Sequence, residues 1–156
     1  MVWLWKVCVS VLVGGAFAQG PAVPLSVTDL KALQNKPCVF IHPWANWCPQ
    51  CVVEMPALLP FLETLPKAQV VVVDVSTALG QKVFSSQWKL LLDAKLPTYL
   101  KPASISDKAY FKAVDPQWKG ALPYSVLYSK GKRLKFWRGA LDHNAVARDV
   151  AALCPL

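Results

Sequence analysis

The chain has 156 residues, the length of one ordinary domain. It is 54% apolar and 17% charged, with 13 prolines and 7 glycines, which excludes a disordered tail, a collagen-like repeat and a coreless disulfide mini-protein. Seventeen Lys and Arg against nine Asp and Glu leave a formal charge of +8; this allows acidic partners or anionic surfaces and decides nothing about fold.

The opening MVWLWKVCVSVLVGGAFAQG carries one charge, Lys6, then an apolar run from Val7 to Val13 and the small-x-small pattern of Ala16, Phe17 and Ala18. Residues 1–18 therefore read as a secretory signal cut after Ala18, with an uncleaved membrane anchor as the alternative. No later stretch approaches the ~20 apolar residues that span a bilayer. Export places the domain, residues 19–156, where disulfides form and persist.

Residues 19–25 form a Pro-containing lead-in. Ser26 to Lys36 reads as a short helix capped by Ser26 or Thr28, with Leu30 and Leu33 on one face and Pro37 as its stop. Cys38 to His42 is an apolar run suited to a central strand, followed by a turn at Pro43. A helical pattern covers Pro49 to Thr64, where Pro56 and Pro60 predict a kink or an early stop. Gln69 to Val75 is a β-branched run of the buried parallel type, and residues 78–95 return to helical spacing. Between 96 and 122 the pattern allows a short strand at Thr98–Leu100 and a short helix at Ile105–Val114. A hairpin follows, with Tyr124–Tyr128 and Arg133–Arg138 around a tight turn at residues 129–132. Asp142 caps a last helix that runs to Leu153. The sum is one α/β domain with no repeat and no linker.

Chemistry concentrates at Cys48-Pro49-Gln50-Cys51, between a buried strand and a helix start. Two intervening residues let the sulfurs meet in a small ring. The helix start turns unpaired N–H groups and partial positive charge toward Cys48, which favours its thiolate and makes it the nucleophile. Cys51, the more buried, then resolves the mixed disulfide. Pro49 suits the first helical turn, where no N–H is needed. The pair is also half of a zinc site, but the remaining Cys38, His42, His143 and Cys154 lack ligand spacing. The redox reading is therefore preferred, with the Cys48–Cys51 disulfide as the active group and no separate cofactor.

Trp44-Ala-Asn-Trp47-Cys48-Pro-Gln-Cys51-Val-Val-Glu54-Met-Pro56 resembles the W-x-x-W-C-x-x-C-x-x-E-x-P signature of the extracytoplasmic TlpA/ResA-like branch of the thioredoxin superfamily. Gly120-Ala-Leu122-Pro123-Tyr-Ser125 is similar to that family's cis-proline loop, and Gly131 through Gly139 resembles its closing hairpin. The resemblance covers about residues 25–153. It implies a thioredoxin fold: an α/β domain with a central mixed sheet flanked by helices and an insertion, about residues 78–118, ahead of the cis-proline. It also implies a cis Leu122–Pro123 bond, with the Leu122 backbone pairing with a partner's extended segment.

Single residues carry competing readings. Glu54, three after Cys51, either shuttles protons with a raised pKa or is a solvated first-turn glutamate; the first is preferred. His42 departs from the family, which often has aspartate or asparagine there. It accepts the proton of Cys51, or by its charge stabilises a thiolate and makes the disulfide more oxidising, or is a neutral, hydrogen-bonded core histidine; the last is preferred. Trp44 is expected to pack around the site and Trp47 to form an apolar rim that a partner touches. Cys38 and Cys154 are both expected at the pole far from the active site. A disulfide there requires Cα atoms within ~7 Å, and two unpaired thiols are the expectation. The basic residues of the hairpin read as a blunted sheet edge.

The leading functional expectation is an exported protein thiol–disulfide oxidoreductase acting on cysteine-containing envelope proteins, as a reductant supplied by a membrane thiol donor. An oxidant or isomerase role is the runner-up, which would pass its electrons to a membrane acceptor. A copper-binding module or a non-catalytic docking domain ranks lower. A monomer is expected, and no nucleic acid partner.

Overall fold

The computed structural model describes residues 22–76, 91 and 93–154. The proposed signal segment, residues 1–18, and most of the helical pattern at 78–95 lie outside them. At the end of that pattern Leu91 is buried.

Ser26 caps α1 (Val27–Gln34): its Oγ accepts the Asp29 N–H at 3.1 Å and donates back to the Asp29 carboxylate at 2.6 Å. The wholly buried β2 (Val39–Trp44) pairs in parallel with β3 (Gln69–Asp74) along its full length. It pairs antiparallel with β5 (Tyr124–Ser129) only over Val39–Ile41. The expected turn at Pro43 is absent, and the strand continues through it. The reason lies in the ladder. The Trp44 carbonyl accepts the N–H of Val75, just past β3, so Pro43, one residue back, turns its nitrogen toward β5, where pairing has already ended. No ladder hydrogen bond is lost.

The α2 helix (Pro49–Glu63) runs unbroken past Pro56 and Pro60. The two prolines leave the carbonyls of Val52 and Pro56 without helical donors. Burial of Cys51, Met55, Leu58, Leu59 and Leu62 against the sheet outweighs that loss, since core packing supplies most helical stability in proteins. The remaining elements are β1 (Val23–Pro24), β4 (Thr98–Leu100), α3 (Asp107–Val114), β6 (Lys132–Arg138) and α4 (His143–Leu153). The lead-in thus supplies an edge strand of two residues, too short to show periodicity.

The sheet order is β1-β4-β3-β2-β5-β6, with the first four strands parallel and the last two antiparallel to their neighbours. Alternation along β5 sends Tyr124 and Tyr128 to one face, where their hydroxyls reach Asp115 and the Val114 carbonyl at the end of α3. On that face α1 joins α3 through Gln34, whose Nε2 donates to the Ala113 and Val114 carbonyls. Ser125 points to the opposite face, which α2 and α4 cover; there Phe61 stacks on His143 at 4.2 Å. At the β5–β6 turn Gly131, at φ +79°, lies so close to the α1 end that a Cβ would meet Asn35 Oδ1 at 2.7 Å. Its N–H donates to the Gln34 carbonyl.

A further expectation is corrected. Cys38 and Cys154 are joined in a disulfide with Cα atoms 5.5 Å apart. Cys38 immediately precedes β2, and Cys154 caps the C-terminal end of α4. The two meet because β2 starts and α4 ends at the same pole, and how closely they approach there is not encoded by spacing along the chain.

Candidate active site

The strand–loop–helix corner between β2 and α2 builds the site. Asn46 N–H donates to Ser76 Oγ, and Ser76 N–H donates to the Asp74 carboxylate, so the loop is pinned to the end of β3. Cys48 is the N-cap of α2, in extended conformation, and Pro49 follows as the first helical residue. Its sulfur accepts the Cys51 N–H at 3.2 Å, the position where an N-cap oxygen ordinarily sits. Cys48 and Cys51 form a disulfide with Cα atoms 5.3 Å apart. Cys48 is 5% exposed and Cys51 fully buried, in the order the spacing predicts. Trp44 is buried beneath the loop, whereas Trp47 is 54% exposed beside Cys48.

On the strand that leads to this loop lies a polar group in an apolar setting. His42, on β2, is fully buried, and its Nδ1 is 2.8 Å from Ser125 Oγ across the sheet. Its Nε2 faces Glu54 Oε1 at 3.9 Å, and neither atom has a hydrogen-bond partner among the described residues. The separation would suit an ion pair, but burial opposes both charges. It holds the imidazole down at about 4 and raises the Glu54 carboxyl to about 7. Near neutral pH, then, an uncharged histidine faces a carboxyl group near its titration midpoint. Glu54 is one turn beyond Cys51 on the same helix face, with its side chain 11% exposed.

The Leu122–Pro123 peptide is cis. Pro123 immediately precedes β5, two residues from Ser125, so the His42–Ser125 contact brings it to the same pole as the cysteines. Its carbonyl accepts Gly139 N–H from the end of β6. Leu122 is half-buried and Pro123 buried. Ser125 lies in the quoted loop, yet nothing in the sequence marks it as the partner of His42. That His42 and Glu54 face each other was likewise not legible, although each had been singled out alone. Among the described residues no cluster of three His, Cys, Asp or Glu side chains is placed to hold a metal ion.

No family model and no curated protein matches the chain. Solved structures do. A secreted disulfide oxidoreductase of Mycobacterium tuberculosis homologous to E. coli DsbE is 22% identical, with a TM-score of 0.54 over 78% of this chain and 85% of that one. StoA from Bacillus subtilis is also 22% identical, with a TM-score of 0.52 over 74% of this chain and 84% of its own. A thioredoxin-related protein from Neisseria meningitidis serogroup B is 21% identical, with a TM-score of 0.60 over 83% and 90% respectively. The chain has the thioredoxin fold. Within that fold it carries an oxidised C-x-x-C pair at the start of the helix that follows the central strand.

Proposed function

We propose that the protein is an exported protein thiol–disulfide oxidoreductase working as a reductant of cysteine-containing envelope proteins. The observation that carries this reading is Cys48 at the N-cap of α2, its sulfur accepting a helix N–H and bonded to Cys51. In the dithiol form the same N–H groups and helix dipole stabilise a Cys48 thiolate. That thiolate attacks one sulfur of a substrate disulfide, forming a mixed disulfide and releasing the first substrate thiolate. Cys51 then attacks the Cys48 sulfur, re-forming the internal disulfide and releasing the second thiolate. Two electrons pass to the substrate, and a membrane thiol donor returns them.

Cys51 is buried and must lose its proton to attack. Glu54, on the same face and near its midpoint at neutral pH, takes that proton and gives it back when the disulfide is reduced. Leu122 and Pro123 offer backbone to an extended partner segment, and Trp47 offers apolar contact. The reducing direction is supported by the neutral state of His42. A strong oxidant owes its potential to a stabilised reduced form, and a neutral His42 adds no positive charge to that of the helix N-terminus. Export is supported by the first 18 residues. The domain acts as a monomer.

Two variants test the reading. Cys48→Ser abolishes dithiothreitol-driven reduction of a protein disulfide, and Cys51→Ser accumulates mixed disulfides. Equilibration with glutathione gives a potential near or below about −250 mV for a reductant, against about −120 mV for an oxidant. A Cys48 thiol that titrates like a free cysteine would refute the mechanism.

A further inference from the structure

Beyond the cis-proline loop the surface holds a feature that thiol exchange does not use. Between α3 and the segment before Gly120 lies a cavity of about 600 Å³. A second, of about 300 Å³, shares Gln117, Trp118 and Lys119 with it and extends to Ala121 and Arg138. The walls are a ladder of rings: Phe111 lies 4.4 Å from Trp118, and Trp118 stacks on Tyr124 at 5.0 Å. The ladder is locked in place. Trp118 Nε1 donates to the Ala121 carbonyl, and a Cβ on Gly120 would stand 2.7 Å from the Phe111 ring.

The rim is cationic. Lys108, Lys112, Lys119 and Arg138 line the two cavities, and among the described residues no acidic one does. The nearby carboxylates are committed elsewhere: Asp107 to Lys101, and buried Asp115 to Arg133 and Tyr124. Lys108 and Lys112 stand four apart on α3, a like-charge spacing that works against the helix. Ala121 directly precedes Leu122, so the groove opens beside the backbone proposed to pair with a partner.

We propose that this groove selects the substrate: it holds an acidic polypeptide segment, flanking the reactive cysteine of the partner, that anchors one apolar side chain among the rings. The inference rests on the redox reading for its biology, but not for its test. Rim charges act chiefly on encounter rate and partner choice.

The test uses dye-labelled peptides with serine in place of cysteine, so that no exchange is involved. One carries Asp and Glu around a central Phe, the other Lys around the same Phe. Fluorescence anisotropy with the exported chain at low salt is expected to give roughly tenfold tighter binding of the acidic peptide. That preference fades at 0.5 M salt. The double variant Lys112→Glu/Lys119→Glu is expected to abolish it, while Lys67→Glu, an exposed charge between α2 and β3, leaves it in place. Equal binding of the two peptides, or equal losses in the groove and Lys67 variants, would overturn the proposal. Failure of the redox reading shows separately, as a chain that binds the acidic peptide but reduces no disulfide.

Discussion

Glu54→Gln offers a quantitative check on the buried pair. Burial raises the Glu54 carboxyl from 4.5 to about 7 in the folded protein. The folded state therefore holds this proton more tightly than the unfolded chain, and the associated stability is complete below pH 4.5. It is lost as pH rises through 7. The span between the two values, at ~1.36 kcal/mol per pH unit, sets an upper limit of about 3.4 kcal/mol. A side chain 11% exposed keeps some solvent screening, so about 2 kcal/mol is the working figure. Glutamine has nearly the same shape and never ionises. The oxidised variant should thus exceed the wild type by about 2 kcal/mol at pH 8 and differ little from it at pH 4. Urea unfolding of both oxidised proteins, with unchanged m-values, measures the difference. A gain that is the same at both pH values, or a loss at pH 8, would show that the carboxyl is not held neutral by burial.

The partner in that pair titrates with the opposite slope. His42 is lowered from 6.5 to about 4, so its contribution is complete above pH 6.5 and lost as pH falls toward 4. Stability of Glu54→Gln should consequently drop on acidification between those values, where the wild type stays flatter. Removing the far-pole disulfide with Cys38→Ala/Cys154→Ala opens a link between residues 116 apart. Chain entropy sets that loss at up to about 4.8 kcal/mol, read as a lower urea midpoint under non-oxidising and non-reducing conditions; an unchanged midpoint would mean the bond adds nothing. Ser125→Ala removes the partner of buried His42 Nδ1 and should cost about 1–3 kcal/mol, again by urea unfolding. Gly131→Ala forces a side chain onto φ +79° and into Asn35. It should lower stability by about 1–2 kcal/mol, and a neutral result would mean that the turn relaxes freely.

Local chemistry was readable from the chain alone. The β-branched run at 69–75 and the apolar run from Cys38 announced central strands because nearly every residue there, Gln69 excepted, is buried. Ser26 and Asp142 announced helix starts because a cap is satisfied within three residues. Cys48 and Cys51 announced each other for the same reason of short range. Pro43 misled because a proline's cost depends on whether its nitrogen faces a paired strand, and the end of β5 pairing at Ile41 decided that. Pro56 and Pro60 did not stop α2 early, because its buried side outweighed two lost hydrogen bonds. The Cys38–Cys154 bond, the approach of His42 to Glu54 and the groove beside the cis-proline all join residues from different elements. Each depends on where the sheet ends and which face a helix covers, and those are set only when the whole core packs.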